Sequence, residues 1–344
     1  MRVPEGEPTR MGAEAREASL VLRRQESAQH PIADLAARLR RKAPQLVVTC
    51  ARGSSAHAAT FGKHLIERHL GIPVSAAAPN IASIYRTRLV LRDQLFLAVS
   101  QAGRSADIIE TAAMAKASGA ITVAVVNDAD SPLAGACDIV LPMQAGPELS
   151  VAASKSFIAS LAMLLRLTAA WAQDSTMQQG TDRLPGRLDA AAELDWSAAL
   201  AVLARAHSVM TIGRGPTLAI AREAALKLKE TCNLHAEAFS SAEFQHGPIT
   251  LIEPAYPVLL FAPADQAAAG IETLRTDLVR KGASVFSTEA VSGPAFLPTL
   301  APDHPDADAI CLVQSFYQLL LHVAARRGND VDRPRHLQKV TRTR

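Results

Sequence analysis

The stretch Gln45-Leu-Val-Val-Thr-Cys-Ala-Arg-Gly-Ser-Ser55 decides the fold. It is a short β-type run that ends in a small polar loop, and a helical pattern from His57 to His69 follows it. The second half of the chain repeats this order with Ser208-Val-Met-Thr-Ile212, then Gly213-Arg214-Gly215, then a helical pattern from Leu218 to Thr231. Strand, polar loop and helix begin a parallel α/β domain, so the repeat predicts two such domains.

The rest of each half continues the alternation of strand and helix. Further strands are predicted at Leu95 to Val99, Ile121 to Val126, Asp138 to Leu141, Pro257 to Phe261 and Ala283 to Phe286. Further helices are predicted at Asp107 to Ala117, Ser154 to Ala172, Ile271 to Lys281 and Ala309 to Arg326. The sequence therefore predicts an α/β protein with two doubly wound parallel sheets in tandem.

The same pattern predicts where the domains begin and end. We expect a helical arm at residues 1–44, a first domain at 45–180, a second domain at 181–330 and a C-terminal tail at 331–344. The polar segment from Gln173 to Pro185 is predicted to be a linker that leads into a helix. Packing on the first domain or across a dimer explains the apolar positions of the arm, Leu20, Leu22, Ile32, Leu35 and Leu39.

Composition excludes several classes of function. The 344 residues are 49% hydrophobic and 20% charged, which is typical of a globular protein. A net charge of +3 and an aromatic content of 4% disfavour binding to nucleic acid. Four scattered cysteines without a CxxC pair disfavour a metal site or a disulfide scaffold. The apolar stretch from Ser156 to Ala172 is short for a membrane span and contains Arg166, and residues 1–30 lack a signal sequence, so we expect a soluble cytoplasmic protein without a membrane partner.

Hydroxyl and amide side chains follow the first two strands of the first half. Ser54 and Ser55 come after one strand, and Ser100, Gln101 and Ser105 come after the next. Ligands of open parallel sheets bind beyond the carboxyl ends of the strands, and helix N-termini there favour anions. Taken singly, each serine is better explained as a helix cap, but two such loops in one domain favour a phosphate site. Because GxGxxG and GxxxxGK[ST] are absent, a small phosphorylated metabolite fits these loops better than a nucleotide.

The second half carries the titratable residues of interest. Glu223, Lys227 and Glu230 are spaced i, i+4, i+7 on one helix face, which by itself is typical of a solvated, salt-bridged surface. His246 stands beside a Gly-Pro pair, and a carboxylate and a histidine together could shuttle a proton and open a sugar ring. Lys339 belongs either to a frayed end or to a tail that folds back and forms an imine.

Four parts of the sequence resemble the double sugar isomerase (SIS) domain family. They are these serine loops, the run Ser150-Val-Ala-Ala-Ser-Lys-Ser-Phe157, the segment from Glu223 to Pro248 and the tail from Pro334 to Thr341. That family includes the isomerase half of glucosamine-6-phosphate synthase and the SIS-type glucosamine-6-phosphate deaminases. The resemblance implies flavodoxin-like domains, and a hexose or hexosamine 6-phosphate as the substrate. It implies substrate contacts from Ser54, Ser55, Ser100, Gln101, Ser105, Ser154, Glu223 and Lys227.

The resemblance also implies catalytic roles. Glu230 takes the position of the base that moves a proton between sugar carbons C1 and C2, and Lys339 that of the lysine that forms an imine. His246 takes the ring-opening position and reaches into the neighbouring subunit's site, which implies a homodimer with shared active sites. No metal or redox cofactor is implied. Ala102 and Ala153 depart from the pattern, because each replaces a serine that would supply a hydroxyl donor.

The expected reaction follows from what precedes the first domain. Met1-Arg2 leads into the helical arm rather than into a glutaminase domain with a terminal cysteine. We therefore expect a deaminase that converts glucosamine 6-phosphate to fructose 6-phosphate and ammonium. A plain phosphosugar isomerase, a deaminase for another amino sugar phosphate and a non-catalytic sugar-phosphate sensor are the alternatives.

Overall fold

Two parallel β-sheets form the framework of the protein. The structure, a computed structural model, describes residues 9–26, 29–289 and 295–339. Within these residues the first sheet has the strand order β2-β1-β3-β4-β5, and its strands are β1 (Val47–Cys50), β2 (Val74–Ala76), β3 (Leu95–Ser100), β4 (Ile121–Val126) and β5 (Ile139–Pro142). The second sheet has the order β7-β6-β8-β9, with β6 (Ser208–Gly213), β7 (His235–Ser240), β8 (Pro257–Phe261) and β9 (Ser284–Ser287). The predicted fold class, two doubly wound parallel sheets in one chain, is confirmed.

Helices connect the strands. The helices before, between and directly after the strands of the first sheet are α1 (Arg10–Arg16), α2 (Ala18–Gln25), α3 (Gln29–Lys42), α4 (Gly53–Leu70), α5 (Asn80–Ser83), α6 (Ala106–Ala117), α7 (Pro132–Ala136) and α8 (Lys155–Ala172). Those that follow are α9 (Ser175–Ala191), α10 (Leu200–Arg205), α11 (Thr217–Cys232), α12 (Ser241–Phe244), α13 (Ala268–Arg280) and α14 (Pro305–Arg326).

The chain divides into two compact units, and neither is continuous in sequence. Of the described residues, the β1–β5 unit comprises 20–26, 29–148, 155–182 and 338–339. Within the same described chain, the β6–β9 unit comprises residues 9–19, 149–154, 183–289 and 295–337. The predicted domain boundaries at residues 44, 180 and 330 stay predictions.

The cores explain why the strands are so apolar. Every residue of β1, β3 and β4 is buried, as expected for central strands of a parallel sheet covered by helices on both faces. Helix α8 packs against α3 and α4 in the β1–β5 unit, and α11 packs against α14 in the β6–β9 unit. By length and composition α8 and α14 could cross a membrane, but 89% and 78% of their apolar windows are buried inside the protein, which is typical of core helices.

The linker predicted from Gln173 to Pro185 is wrong for most of its length, because helix α9 begins at Ser175 and contains the rest of this segment. The Asp174 carboxylate accepts hydrogen bonds from the amides of Thr176 and Met177 and so begins the helix. The buried positions Met177, Thr181, Leu184 and Leu188 recur at intervals of four, three and four residues and form one face. Polar residues on the opposite face, together with Gly180 and Pro185, hid this periodicity in the sequence.

Sequence reasoning also missed two edge strands. β2 contains three residues, too few to show an alternation. β7 begins His-Ala-Glu-Ala, in which exposed His235 and Glu237 flank a buried alanine, and these residue types have low β-propensity. Each strand is held by parallel pairing with a central strand, β2 with β1 and β7 with β6.

Candidate active site

The polar loops of the β1–β5 unit begin side by side. β1 and β3 are paired in parallel, with Cys50 opposite Ala98, so the segments that follow them leave the same edge of the sheet. Ser54 and Ser55 lie half-buried in the first turn of α4. Ser100 is the last residue of β3, and Gln101 and Ser105 are half-buried in the loop between β3 and α6. The structure therefore brings these five predicted phosphate-binding residues to one sheet edge.

The loop after β3 has a conformation that requires glycine. The backbone amide of Gly103 donates to the Ser100 hydroxyl over 3.1 Å, and Gly103 has a φ of +63°. A Cβ atom at this position would lie 2.2 Å from the Ser131 hydroxyl. Ser105 stands at the N-cap position of α6, yet among the described residues its side chain takes no hydrogen bond from that helix, so capping does not account for it.

An ion pair that the sequence did not reveal ties the two loops together. Arg52, the residue before α4, reaches the Asp107 carboxylate on α6 with Nη2 at 2.6 Å and Nε at 3.2 Å from the same oxygen. The Asp107 side chain is 4% exposed. Both residues flank predicted loops, but a separation of 55 positions leaves no local signal that they meet.

The acidic and basic face of α11 is largely buried. Lys227 Nζ lies 3.4 Å from Glu223 Oε1 and 2.6 Å from Glu230 Oε2. The side chains of Glu223 and Lys227 are 0% and 1% exposed, whereas that of Glu230 is 21% exposed. Burial by itself would lower the pKa of Lys227, but the two carboxylates outweigh it and the net effect is a raised pKa. The solvated surface suggested by the spacing alone is therefore not found.

A fourth residue completes this buried cluster. The hydroxyl of Tyr317, on α14, lies 3.4 Å from Glu223 Oε1, and the tyrosine is fully buried. No sequence signal pointed to Tyr317, because it is 94 positions away on another helix.

A cavity of about 300 Å³ lies beside Glu230 within the β6–β9 unit. The residues that line it come from the end of α11 and from the chain that follows α14: Lys229, Glu230, Thr231, Asn233, Gly328, Asn329, Asp330, Arg333, Pro334, Arg335 and His336. Its cationic side chains exceed its carboxylates, so it favours an anionic or strongly polar occupant.

His246 and Lys339 occupy different surroundings. His246 is exposed on the turn that follows α12, directly before Gly247 with its φ of +132°. Lys339 lies in the β1–β5 unit, where its Nζ is 3.4 Å from Oε2 of Glu148, a carboxylate that is 0% exposed. Glu148 also accepts hydrogen bonds from the amide and hydroxyl of Ser156 in the first turn of α8. Lys339 is therefore docked, while Val340 and the residues beyond it lie outside the described chain.

Ser154 is fully buried and immediately precedes α8. The loop that contains it, Leu149–Ser154, is assigned to the β6–β9 unit, although the residues on both sides of it belong to the β1–β5 unit. Apart from Ser154 and His246, the predicted site residues form three groups, each within one unit. These are the loops around Ser54 and Ser100, the α11 cluster, and Lys339 with Glu148.

The sequence of this chain is similar to a known domain family and to known proteins. The profile of the SIS domain matches residues 41–170 and 202–288. The isomerizing glutamine–fructose-6-phosphate aminotransferase of Caulobacter vibrioides is 33% identical over 318 residues, which is 85% of this chain and 51% of that protein. The chain spans about half the length of the curated relatives it matches.

Two solved structures extend the comparison. A crystal structure from Silicibacter pomeroyi DSS-3, provisionally assigned as a phosphosugar isomerase, is 42% identical with a TM-score of 0.90, and the match covers 94% of this chain and 100% of that one. The C-terminal domain of glucosamine-fructose-6-phosphate aminotransferase from Francisella tularensis is 25% identical with a TM-score of 0.82, and the match covers 97% of this chain and 100% of that one.

Proposed function

The chain belongs to the SIS domain family, and we propose that it is a phosphosugar isomerase whose reaction is the deamination of glucosamine 6-phosphate. The products are fructose 6-phosphate and ammonium, and water is the second substrate. The support for the general activity is the 42% identity to a chain assigned as a phosphosugar isomerase and the 33% identity to isomerizing aminotransferases of fructose 6-phosphate.

The environment of Glu230 is the single observation that carries this proposal. Its Oε2 atom is held 2.6 Å from the Lys227 ammonium, which the neighbouring carboxylates keep charged, and Glu230 lines a cavity with basic walls. A carboxylate that is fixed in orientation and still reaches a cavity is suited to moving a proton between adjacent carbon atoms. Lys227 serves the reaction by holding Glu230, and Glu223 by holding Lys227. The contacts of Glu223 and Lys227 with the sugar stay a prediction.

Phosphate binding is assigned to the loops of the β1–β5 unit. Ser54 and Ser55 stand at the start of α4, and Ser100, Gln101 and Ser105 precede α6, so hydroxyls and helix amides converge on one sheet edge. Such an edge suits the charge of a phosphate monoester, which is roughly −1.5 to −2 at pH 7. We assign Ser154 to the same substrate as a further hydroxyl contact.

The chemistry requires ring opening, proton transfer and hydrolysis. In the proposed mechanism His246 protonates the ring oxygen, the bond between this oxygen and C1 breaks, and the C1 hydroxyl loses its proton, which gives the open-chain amino aldehyde. Glu230 then removes the proton from C2 while the C1 oxygen gains a proton. Glu230 returns its proton to C1 while the amino group loses one, which leaves an imine at C2. The Lys339 amine attacks this imine and releases ammonia, and water hydrolyses the lysine–sugar imine to fructose 6-phosphate and the free amine. Each bond formed to Lys339 is thus broken again.

Direction is the finer part of the proposal. Proton transfer and imine hydrolysis are both reversible, so the same side chains can serve either direction. Deamination needs only water as a second substrate, whereas amination of fructose 6-phosphate needs a source of ammonia.

A panel of hexose and hexosamine 6-phosphates, followed simultaneously for ammonium and ketose, tests the activity. We expect ammonium to appear in step with fructose 6-phosphate from glucosamine 6-phosphate. Ketose without ammonium would replace the proposal with plain isomerisation. Tight binding of a sugar phosphate without turnover over hours would replace it with a sensor.

The role of Glu230 is tested by Glu230→Gln. We expect a loss of about 10²–10⁴-fold in kcat, the range attributed to a general base, with substrate binding retained. Glu272→Gln is the matched control, because Glu272 is exposed on α13. Full turnover by Glu230→Gln would refute the assignment.

The shared active site of a homodimer is proposed from the exposed position of His246 on a turn. It predicts complementation between two inactive variants, Glu230→Gln and His246→Ala. Coexpression gives mixed dimers in which one of the two sites combines an intact Glu230 with an intact His246. About a quarter of the wild-type activity should therefore return in a random mixture. A mixture as inactive as its components would show that each site is built from one chain.

A further inference from the structure

Helix α1 is attached firmly to the β6–β9 unit. Gly12 packs so closely on α14 that an added Cβ atom would lie 3.0 Å from the Leu321 side chain. The backbone carbonyl of Ala15 accepts a hydrogen bond from Gln314, which is 1% exposed. Since one face of α1 is held against α14 in this way, its other polar groups have fixed positions.

Glu14 on α1 binds the loop that leads to Ser154. The Glu14 side chain accepts hydrogen bonds from the backbone amides of Leu149 and Ser150 and from the Ser150 hydroxyl. Glu14 is 5% exposed and Ser150 is 0% exposed. The Ser150 hydroxyl also lies 3.1 Å from the Ala152 carbonyl oxygen. Without the Glu14 carboxylate, the buried amide of Ser150 would lose its acceptor, so the loop would have to move for the amide to reach another one.

The N-terminus of α1 binds the chain that follows α14. The Asp332 carboxylate accepts from the amides of Arg10 and Met11 at 2.7 and 2.8 Å. Asp332 lies within the stretch from Gly328 to His336, which forms one wall of the cavity beside Glu230. One helix therefore contacts both the Ser154 loop and the wall of the Glu230 cavity.

We propose that α1 is a positioning element of the active site, in which Glu14 fixes the Leu149–Ser154 loop and Asp332 fixes the cavity wall against the same helix. This inference rests on the proposed function, because that proposal gives Ser154 and Glu230 their roles. Glu14 and Asp332 touch neither substrate nor reacting atoms, so both are positioning residues.

The test separates positioning from plain stabilisation. Glu14→Gln keeps one acceptor oxygen and turns the other into a donor that faces the loop's own donors. We expect the KM for glucosamine 6-phosphate and the Kd measured by calorimetry to rise about tenfold or more, with a smaller change in kcat. Asp332→Asn should act in the same direction.

Arg16→Ala is the matched control, because Arg16 lies on the same helix and its side chain, 54% exposed, pairs with Glu193 at the surface. Its KM and kcat should equal those of the wild type. If Glu14→Gln does not fold, Ser150→Ala removes only the hydroxyl donor and should raise KM about threefold.

The results can contradict the inference without touching the proposed function. A folded Glu14→Gln protein with wild-type KM and Kd, in which only the melting temperature falls, would reduce α1 to a structural element. If the wild type binds glucosamine 6-phosphate without turning it over, the proposed function fails, but a weaker Kd in Glu14→Gln still supports the inference. If the wild type binds none of the sugar phosphates, both fail.

Discussion

Replacing Lys227 with methionine tests whether the α11 cluster is a buried ionic structure. Methionine has a similar length and no charge. The substitution leaves Glu223, which is 0% exposed, without the cation 3.4 Å away, and Glu230 without the cation 2.6 Å away. The remaining carboxylates then repel each other in a poorly hydrated place.

The structure sets the size of the expected effect. Removing one partner of a buried ion pair costs about 3–5 kcal/mol, because the other charge stays buried and uncompensated. For a unit of roughly 150–250 residues, each kcal/mol lowers the melting temperature by about 2–4 °C, so Lys227→Met should lower it by about 6–20 °C. The fall should occur in the transition of the β6–β9 unit, which contains all three residues.

Scanning calorimetry at neutral pH measures this effect. Lys229→Met is the matched control, because Lys229 is exposed two positions further along the same helix, and its melting temperature should stay within about 2 °C of the wild type. Adding Glu223→Gln to Lys227→Met removes the stranded charge and should restore part of the loss. A melting temperature for Lys227→Met within 2 °C of the wild type would refute the buried pair.

Three further results are expected. The pKa of Lys227 is raised above its ordinary value of 10.5. Its contribution to the free energy of unfolding is therefore fully present below about pH 10.5 and is lost as the pH rises through the raised pKa. Chemical unfolding measured between about pH 9 and 12 should show this loss in the wild type and not in Lys227→Met. Gly103→Ala should weaken phosphosugar binding about tenfold or more, because the added Cβ atom would lie 2.2 Å from the Ser131 hydroxyl. Gly71→Ala is the control, because Gly71 has a similar φ of +67° and no described atom lies within 4 Å of the added Cβ atom. Gly71→Ala should cost only about 1–2 kcal/mol of stability. Burial raises the pKa of the four cysteine thiols to about 11 (Cys232) or about 12 (Cys50, Cys137 and Cys311). A disulfide reagent at about pH 8 should therefore find no fast-reacting thiol in the native protein and four after denaturation. One rapid reaction in the native protein would contradict this.

The parts of the fold that the sequence predicted are those in which local pattern and burial agree. β3, β4 and β8 are continuous apolar runs because helices cover both faces of the sheet, and such runs stand out in any sequence. The edge strands β2 and β7 are short or carry exposed polar residues, and strand pairing rather than composition defines them. Helix α9 was missed for a related reason, since its buried face is narrow and its exposed face is polar.

The site divides in the same way between local and distant relations. The spacing of Glu223, Lys227 and Glu230 places them on one helix face whatever the rest of the chain does, so their proximity was predictable. Their burial was not, because it depends on α14, which carries Tyr317. The partners of Glu14 and Lys339 lie 135 or more positions away, a distance at which a single sequence holds no signal.

Buried carboxylates explain how irregular loops can hold one conformation in this protein. A loop has no ladder of backbone hydrogen bonds, and each of its unpaired amides is costly once it is buried. Here Glu14 accepts hydrogen bonds from the amides of Leu149 and Ser150, and Glu148 accepts one from the amide of Ser156. Asp107 forms an ion pair with the guanidinium of Arg52. Because a carboxylate that loses its donors becomes an uncompensated charge, any other loop conformation costs more than a neutral loop would. Glu148→Gln should therefore change the position of Lys339 and the start of α8 together. The geometry of the proposed site thus depends on charged groups that do not take part in its chemistry.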